Sequence, residues 1–111
     1  TEGLDCLRPR LAEYFKLGAR FAKWRAVITI GDGIPSHACL YANAHALARY
    51  AALCQEASIV PMIEPEVLLD GSHTIERCEE VTPEFRFEGR TVGKLFSQPR
   101  YRCDCGSRRP L

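Results

Sequence analysis

Four charged side chains stand in two alternating pairs: Lys23 and Arg25 within FAKWRAVITI (21–30), and Glu64 and Glu66 within VPMIEPEVLL (60–69). In an extended strand residues i and i+2 project to the same face, so each pair presents its two charges together. Where two such strands lie side by side, two cations meet two carboxylates on one surface of a sheet. Charges so placed form either a structural salt-bridge network or a water-filled site where charge does chemistry. Lysine and arginine bind phosphate or polarise an oxygen, and a carboxylate beside a cation passes protons as general acid and base. Trp24, between the two cations, points to the opposite face, where its bulk serves packing. Charged strand ends in open solvent are the plain alternative, and spacing alone does not separate the two readings.

No glycine-rich phosphate loop, nucleophile elbow or HExxH pattern accompanies these pairs. His37 and His45 lie eight apart on a helical pattern and His73 lies in a loop, which reads as surface histidines rather than ligands or bases. The six cysteines, Cys6, Cys39, Cys54, Cys78, Cys103 and Cys105, include no CxxC pair. That argues against a zinc site and for reduced thiols, with CDC at 103–105 the only close pair.

The elements that must position the charges follow from periodicity. Leu4, Leu7, Leu11 and Phe15 recur at helical spacing, with Gly18 as a stop and Pro9 marking a start or kink near the beginning. Val27, Ile28, Thr29 and Ile30 favour a strand over 21–30, closed by the turn residues GDG. Pro35 and Ser36 open a long helix, proline suiting its first turn, with Leu40, Ala44, Leu47, Ala51 and Cys54 as the buried stripe. SIVPMIEPEVLL is a second strand pattern, and DGSHTIERCEEV leads through a loop into a third helix with Ser72 as its N-cap. Strand, helix, strand, helix is the order of a parallel α/β architecture, because parallel strands need a crossover. Pro83 is expected to interrupt the third helix, and residues 83–111 show no sustained period, so they read as a weakly structured tail.

At 111 residues, 46% hydrophobic and 26% charged, the chain fits one small globular domain or a piece of a larger one. The net charge of +1 hides an asymmetry: residues 1–82 carry 8 basic and 11 acidic side chains, residues 83–111 carry 7 and 3. A basic tail can attract nucleic acid or an anionic membrane, but short arginine-rich ends are common and neither partner is expected. No apolar run reaches the roughly 18–20 residues of a membrane span, and no signal-peptide start is present, so a cytoplasmic protein is expected. The chain opens on Thr1 rather than Met, as a fragment or processed product would.

LGARFAKWRAVITIGDGIPS, ANAHALARYAALCQEA and VPMIEPEVLLDGSHTIERCEEVT resemble consecutive segments of class I fructose-1,6-bisphosphate aldolase, in order and at the right spacing. The resemblance covers about residues 1–82 and rests on FAKWR, ANxxALARYAxxCQ and IEPE occurring together. It implies about two β/α units of a TIM (β/α)8 barrel, an internal and incomplete piece. The implied activity is the reversible cleavage of fructose 1,6-bisphosphate to dihydroxyacetone phosphate and glyceraldehyde 3-phosphate through a lysine Schiff base, without metal or other cofactor. Lys23 resembles the lysine that contacts substrate hydroxyls and supports the charge relay, and Arg25 the arginine that helps hold a substrate phosphate. Glu64 resembles the principal proton-transfer carboxylate, and Glu66 the second one, which hydrogen-bonds the lysines and tunes them. The family's homotetramer is a further implication.

The departures bear on activity. The Schiff-base lysine of the family sits in an LLKPNM-type motif that does not follow here, and Lys94 in VGKLF, the only lysine after Lys23, lies in unmatched surroundings. A strand carrying a catalytic aspartate is expected upstream of Thr1, and the later serine, glycine and arginine phosphate contacts are missing. Cys6 stands where the family usually has glycine, and Ser58 replaces a helix-ending glycine. From Pro83 the resemblance stops, as a frameshift, splice alternative or truncation would produce. A TIM barrel needs eight units in about 250 residues, so this chain cannot close one and is expected to be marginally stable and catalytically incomplete. The alternative reading is a catalytically dead, aldolase-derived interaction module. A different Schiff-base barrel enzyme is opposed by FAKWR and IEPE together.

Overall fold

The computed structural model describes residues 3–84. The first helix, α1 (Leu7–Lys16), buries Leu7 and Leu11 and half-buries Phe15, the one face that its four-residue spacing makes continuous. Pro9 stands in the first turn, where its missing N–H breaks no intrahelical bond, so the helix starts around it without a break. At the other end Arg20 lies 4.2 Å over the Phe15 ring and donates to the carbonyls of Phe15 and Ala19.

Strand β1 (Phe21–Ile28) pairs in parallel with β2 (Val60–Val67), joined by the crossover helix α2 (His37–Glu56). Arg25 stands opposite Glu64 and Val27 opposite Glu66. The Val60 N–H donates to the Arg20 carbonyl at 2.8 Å and the Leu68 N–H to the Ile28 carbonyl at 2.9 Å. In a parallel ladder every second residue turns both its N–H and its C=O to the same neighbour. Even-numbered β2 residues therefore bond β1, and Pro61 and Pro65 direct their missing N–H outward, where no ladder bond to β1 is lost.

Ser36 is the N-cap of α2, its hydroxyl accepting from the Cys39 N–H at 3.2 Å. Pro35 lies one residue outside the cap, on a cis bond from Ile34, not in the first turn as the sequence suggested. Leu40, Ala44, Leu47 and Cys54 are buried as the stripe required; Ala48 and Tyr50 join them, and Ala51 is half-buried. One core forms where Leu40, Ala44 and Leu47 meet Ala26 and Ile28 on the inner face of the sheet, and a second where Leu7 and Leu11 of α1 meet Tyr50, Cys54 and Ile59.

A third helix, α3 (75–84), follows β2 and packs Val81 into the first core. Its cap is Thr74, whose hydroxyl accepts from the Arg77 N–H at 3.3 Å, not Ser72: the chain turns helical two residues later than expected. Pro83 does not interrupt α3 as the sequence suggested: the helix reaches the last described residue, 84, because the bonds that build it ahead of the proline, such as that from the Cys78 N–H to the Thr74 carbonyl, do not use the proline nitrogen. The result is an α/β unit of two parallel strands and three helices. The tail beyond residue 84, with Lys94, Cys103 and Cys105, lies outside the described residues.

Candidate functional site

All four charges fall on the outer face of the sheet, the face turned away from α2. The parallel register sets Arg25 beside Glu64 and Lys23 beside Met62, so each cation reaches forward to the next carboxylate along β2. Lys23 Nζ lies 2.8 Å from Glu64 Oε2 as an ion pair, and Arg25 Nε donates a hydrogen bond to Glu66 Oε2. The expectation that cations and carboxylates from the two strands share one face is met. Glu66 is bonded to Arg25 here, whereas the resemblance implied a bond to lysine.

Each side chain of the quartet is about half exposed or somewhat less, so water screens both pairs and they add little to stability. Their electrostatic effect is local. The hydrogen bond from Arg25 holds the Glu66 carboxyl below the usual glutamate range, with the charges of Arg25 and Lys23 adding to it. The same bond raises the Arg25 guanidinium further above its already high value, so it stays cationic. Glu66 is thereby a fixed anion holding a fixed cation. Glu64 is paired with Lys23 alone, through the 2.8 Å contact to its Oε2.

Trp24 does point the other way. Its ring meets Tyr50 of α2 edge-on, centroids 5.3 Å apart, tying β1 to the helix layer directly behind the charged face. Burial pushes the Tyr50 hydroxyl above its ordinary pKa and does the same for the neighbouring Cys54 thiol, so both stay neutral and serve packing. Sequence reasoning missed Tyr50; its place four residues before Cys54 on the buried stripe was the available signal.

The histidines stand apart from the two strands. His37 is exposed in the first turn of α2, His45 lies beside Tyr41 with ring centroids 6.3 Å apart, and His73 packs against Gly71 after β2. Cys6, Cys39, Cys54 and Cys78 are free thiols. Among the described residues no three His, Cys, Asp or Glu side chains gather as a metal site, and no helix is long and apolar enough to cross a membrane. The outer face thus offers two cations, each paired with a carboxylate of the adjacent strand, a set of groups that can bind an anion or polarise an oxygen.

The family model of glycolytic class-I fructose-bisphosphate aldolase matches residues 1–88. The chain is 73% identical over 82 residues to a probable fructose-bisphosphate aldolase class 1 of Xanthomonas axonopodis pv. citri, covering 74% of this chain and 25% of that protein. It is 56% identical over 82 residues to the cytosolic fructose-bisphosphate aldolase 4 of Arabidopsis thaliana, covering 74% of this chain and 21% of that one. Among solved structures it resembles the fructose-bisphosphate aldolase of Plasmodium falciparum, determined with TRAP and a small-molecule inhibitor. There the TM-score is 0.76 at 43% identity, over 81% of this chain and 26% of that one. The chain spans about a quarter of the length of the curated relatives it matches.

Proposed function

The chain belongs to the class-I fructose-bisphosphate aldolases, matched over residues 1–88, and on that premise we propose that its outer sheet face is one wall of an aldolase active site. The observation that carries this reading is the pairing of Lys23 with Glu64 and Arg25 with Glu66 across adjacent strands. Arg25, fixed by Glu66, holds a phosphate of fructose 1,6-bisphosphate. Lys23 contacts a substrate hydroxyl and stabilises oxygen charge as the carbon–carbon bond breaks. Glu64 takes and returns the proton that moves during Schiff-base formation and cleavage. Glu66 stays anionic throughout and orients Arg25. The reaction is a reversible retro-aldol cleavage to dihydroxyacetone phosphate and glyceraldehyde 3-phosphate, carried out in the cytoplasm as part of glycolysis, with the nucleophilic lysine supplied by another strand of a (β/α)8 barrel.

As a 111-residue chain on its own the protein lacks that nucleophile and is inactive. Treatment with dihydroxyacetone phosphate and borohydride is expected to leave its mass unchanged; a reduced adduct shows that a competent lysine is present after all. The roles themselves are tested by placing residues 1–82 into the matching stretch of the Xanthomonas relative. The chimera is expected to cleave fructose 1,6-bisphosphate, and Glu64→Gln in it to lower kcat by about 10²–10⁴-fold, the span of a general acid–base group. A folded but inactive chimera, or a Glu64→Gln variant as fast as its parent, removes the assignment.

A further inference from the structure

Along the outer face the register sets Lys23 opposite Met62, Arg25 opposite Glu64 and Val27 opposite Glu66. Adjacent strands lie about 4.8 Å apart and same-face residues of one strand about 6.6 Å apart, so a directly opposite side chain is nearer than the next one along, about 8 Å away on the diagonal. Arg25 nevertheless bonds Glu66 and not its nearer neighbour Glu64, which pairs with Lys23. Of the influences on the Arg25 guanidinium, the hydrogen bond to Glu66 is the largest and the charge of Glu64 the smallest.

The residues at the two ends of the quartet account for this choice. Pairing straight across makes one ion pair, Arg25 with Glu64, and leaves Lys23 facing a thioether and Glu66 facing an isopropyl group. Pairing forward makes two ion pairs and gives every one of the four charges a counterpart. A carboxylate at position 62, or a cation at position 27, cancels that advantage: straight pairing then makes as many pairs over the shorter span.

We propose that Met62 and Val27 are positioning residues of the site, which by being apolar at its two ends hold the pairing in the forward form, keeping Arg25 on Glu66 and leaving Glu64 to Lys23. The pairing itself stands on the register, and its consequence for catalysis rests on the aldolase reading, in which Glu64 moves a proton and Arg25 holds a phosphate. Straight pairing ties those two groups to each other and occupies both.

The test reads the partner of the Arg25 side chain from exchange of its Nε proton with water in the isotope-labelled full chain. In the unaltered chain Glu66→Gln is expected to speed that exchange about two- to tenfold, the worth of one exposed hydrogen bond, and Glu64→Gln to leave it as it is. In the Met62→Glu chain, and independently in the Val27→Lys chain, the dependence reverses: Glu64→Gln speeds the exchange and Glu66→Gln does not. Met62→Leu keeps the unaltered pattern. A merely structural part for Met62 and Val27 moves none of these dependences. In the Xanthomonas chimera Met62→Glu is expected to lower kcat by about 10²-fold, the cost of a group misplaced by about 1 Å, and Met62→Leu to retain it. A folded but inactive chimera removes the aldolase reading and leaves the exchange test standing. An active chimera that is as fast with Met62→Glu, or Arg25 exchange that follows Glu66 in every variant, overturns the proposal. So does loss of the fold in both charged variants, because a position whose part is to withhold a counter-charge accepts one on this polar face.

Discussion

Glu64 and Glu66 differ by two positions and share a face, yet the register gives them different partners and therefore different work. The hydrogen bond from Arg25 favours the charged form of Glu66, so its folded pKa lies below its unfolded one. The folded state then binds fewer protons than the unfolded state just below the ordinary glutamate range. Stability contributed by this group is present above that range and is lost as pH falls through the folded value. Carbon-detected titration is expected to place the Glu66 midpoint below that of an ordinary glutamate, and Arg25→Met to return it upward; a midpoint unmoved by Arg25→Met shows that the bond is absent in solution. The thiols give a second check at this scale. Cys6 and Cys39 are exposed, whereas Cys54 is fully buried with its pKa raised by burial, so a thiol reagent is expected to label the first two quickly and Cys54 only at the rate of unfolding.

Among elements, the turns carry what periodicity alone did not settle. Ser58 at the end of α2 has φ 58 and Cys6 before α1 has φ 49, both in the left-handed region where a Cβ costs roughly 1–2 kcal/mol. These are the two positions where family glycines were noted as missing, so the sequence held the signal through resemblance and not through pattern. Ser58→Gly is expected to raise stability by about 0.5–1 kcal/mol in urea unfolding, the relief of strain exceeding the added freedom of the unfolded chain. Gly71 is the converse case. With φ 136 and a Cβ position 2.9 Å from His73 Nδ1, Gly71→Ala is expected to cost about 1–3 kcal/mol and to displace His73, visible as a shifted imidazole resonance. The strands, the long helix and the charged face were legible because their apolar and charged residues repeat at two or at three to four positions. The Ser72 and Pro35 assignments missed because a cap depends on where the backbone turns helical, which side-chain spacing does not encode. Ion-pair partners were legible only as a set: which cation meets which carboxylate is fixed by the register of β1 on β2.

At the scale of the whole molecule, the sheet is covered on one side only. Helix α2 lies over the inner face and meets both cores, so the described fold has one principal lid and no second layer across the charged face. A domain of about this size typically holds a folding free energy of about 5–15 kcal/mol, and two strands with one bare face place this one at or below the low end. Leu40 is 1% exposed and stands where α2 meets the sheet. Leu40→Ala removes buried apolar surface and leaves a cavity, at a cost of about 2–5 kcal/mol. That cost takes most or all of a reserve at the low end of the range, so the variant is expected to lose its cooperative thermal transition, read by circular dichroism at the helix band. A Leu40→Ala chain that still melts cooperatively, only a few degrees lower, shows a reserve larger than one covered sheet face supplies. The additional stability must then come from contacts made by a second chain or by residues outside 3–84, and repeating the melt across a range of concentrations separates the two, since only association makes the midpoint rise with concentration.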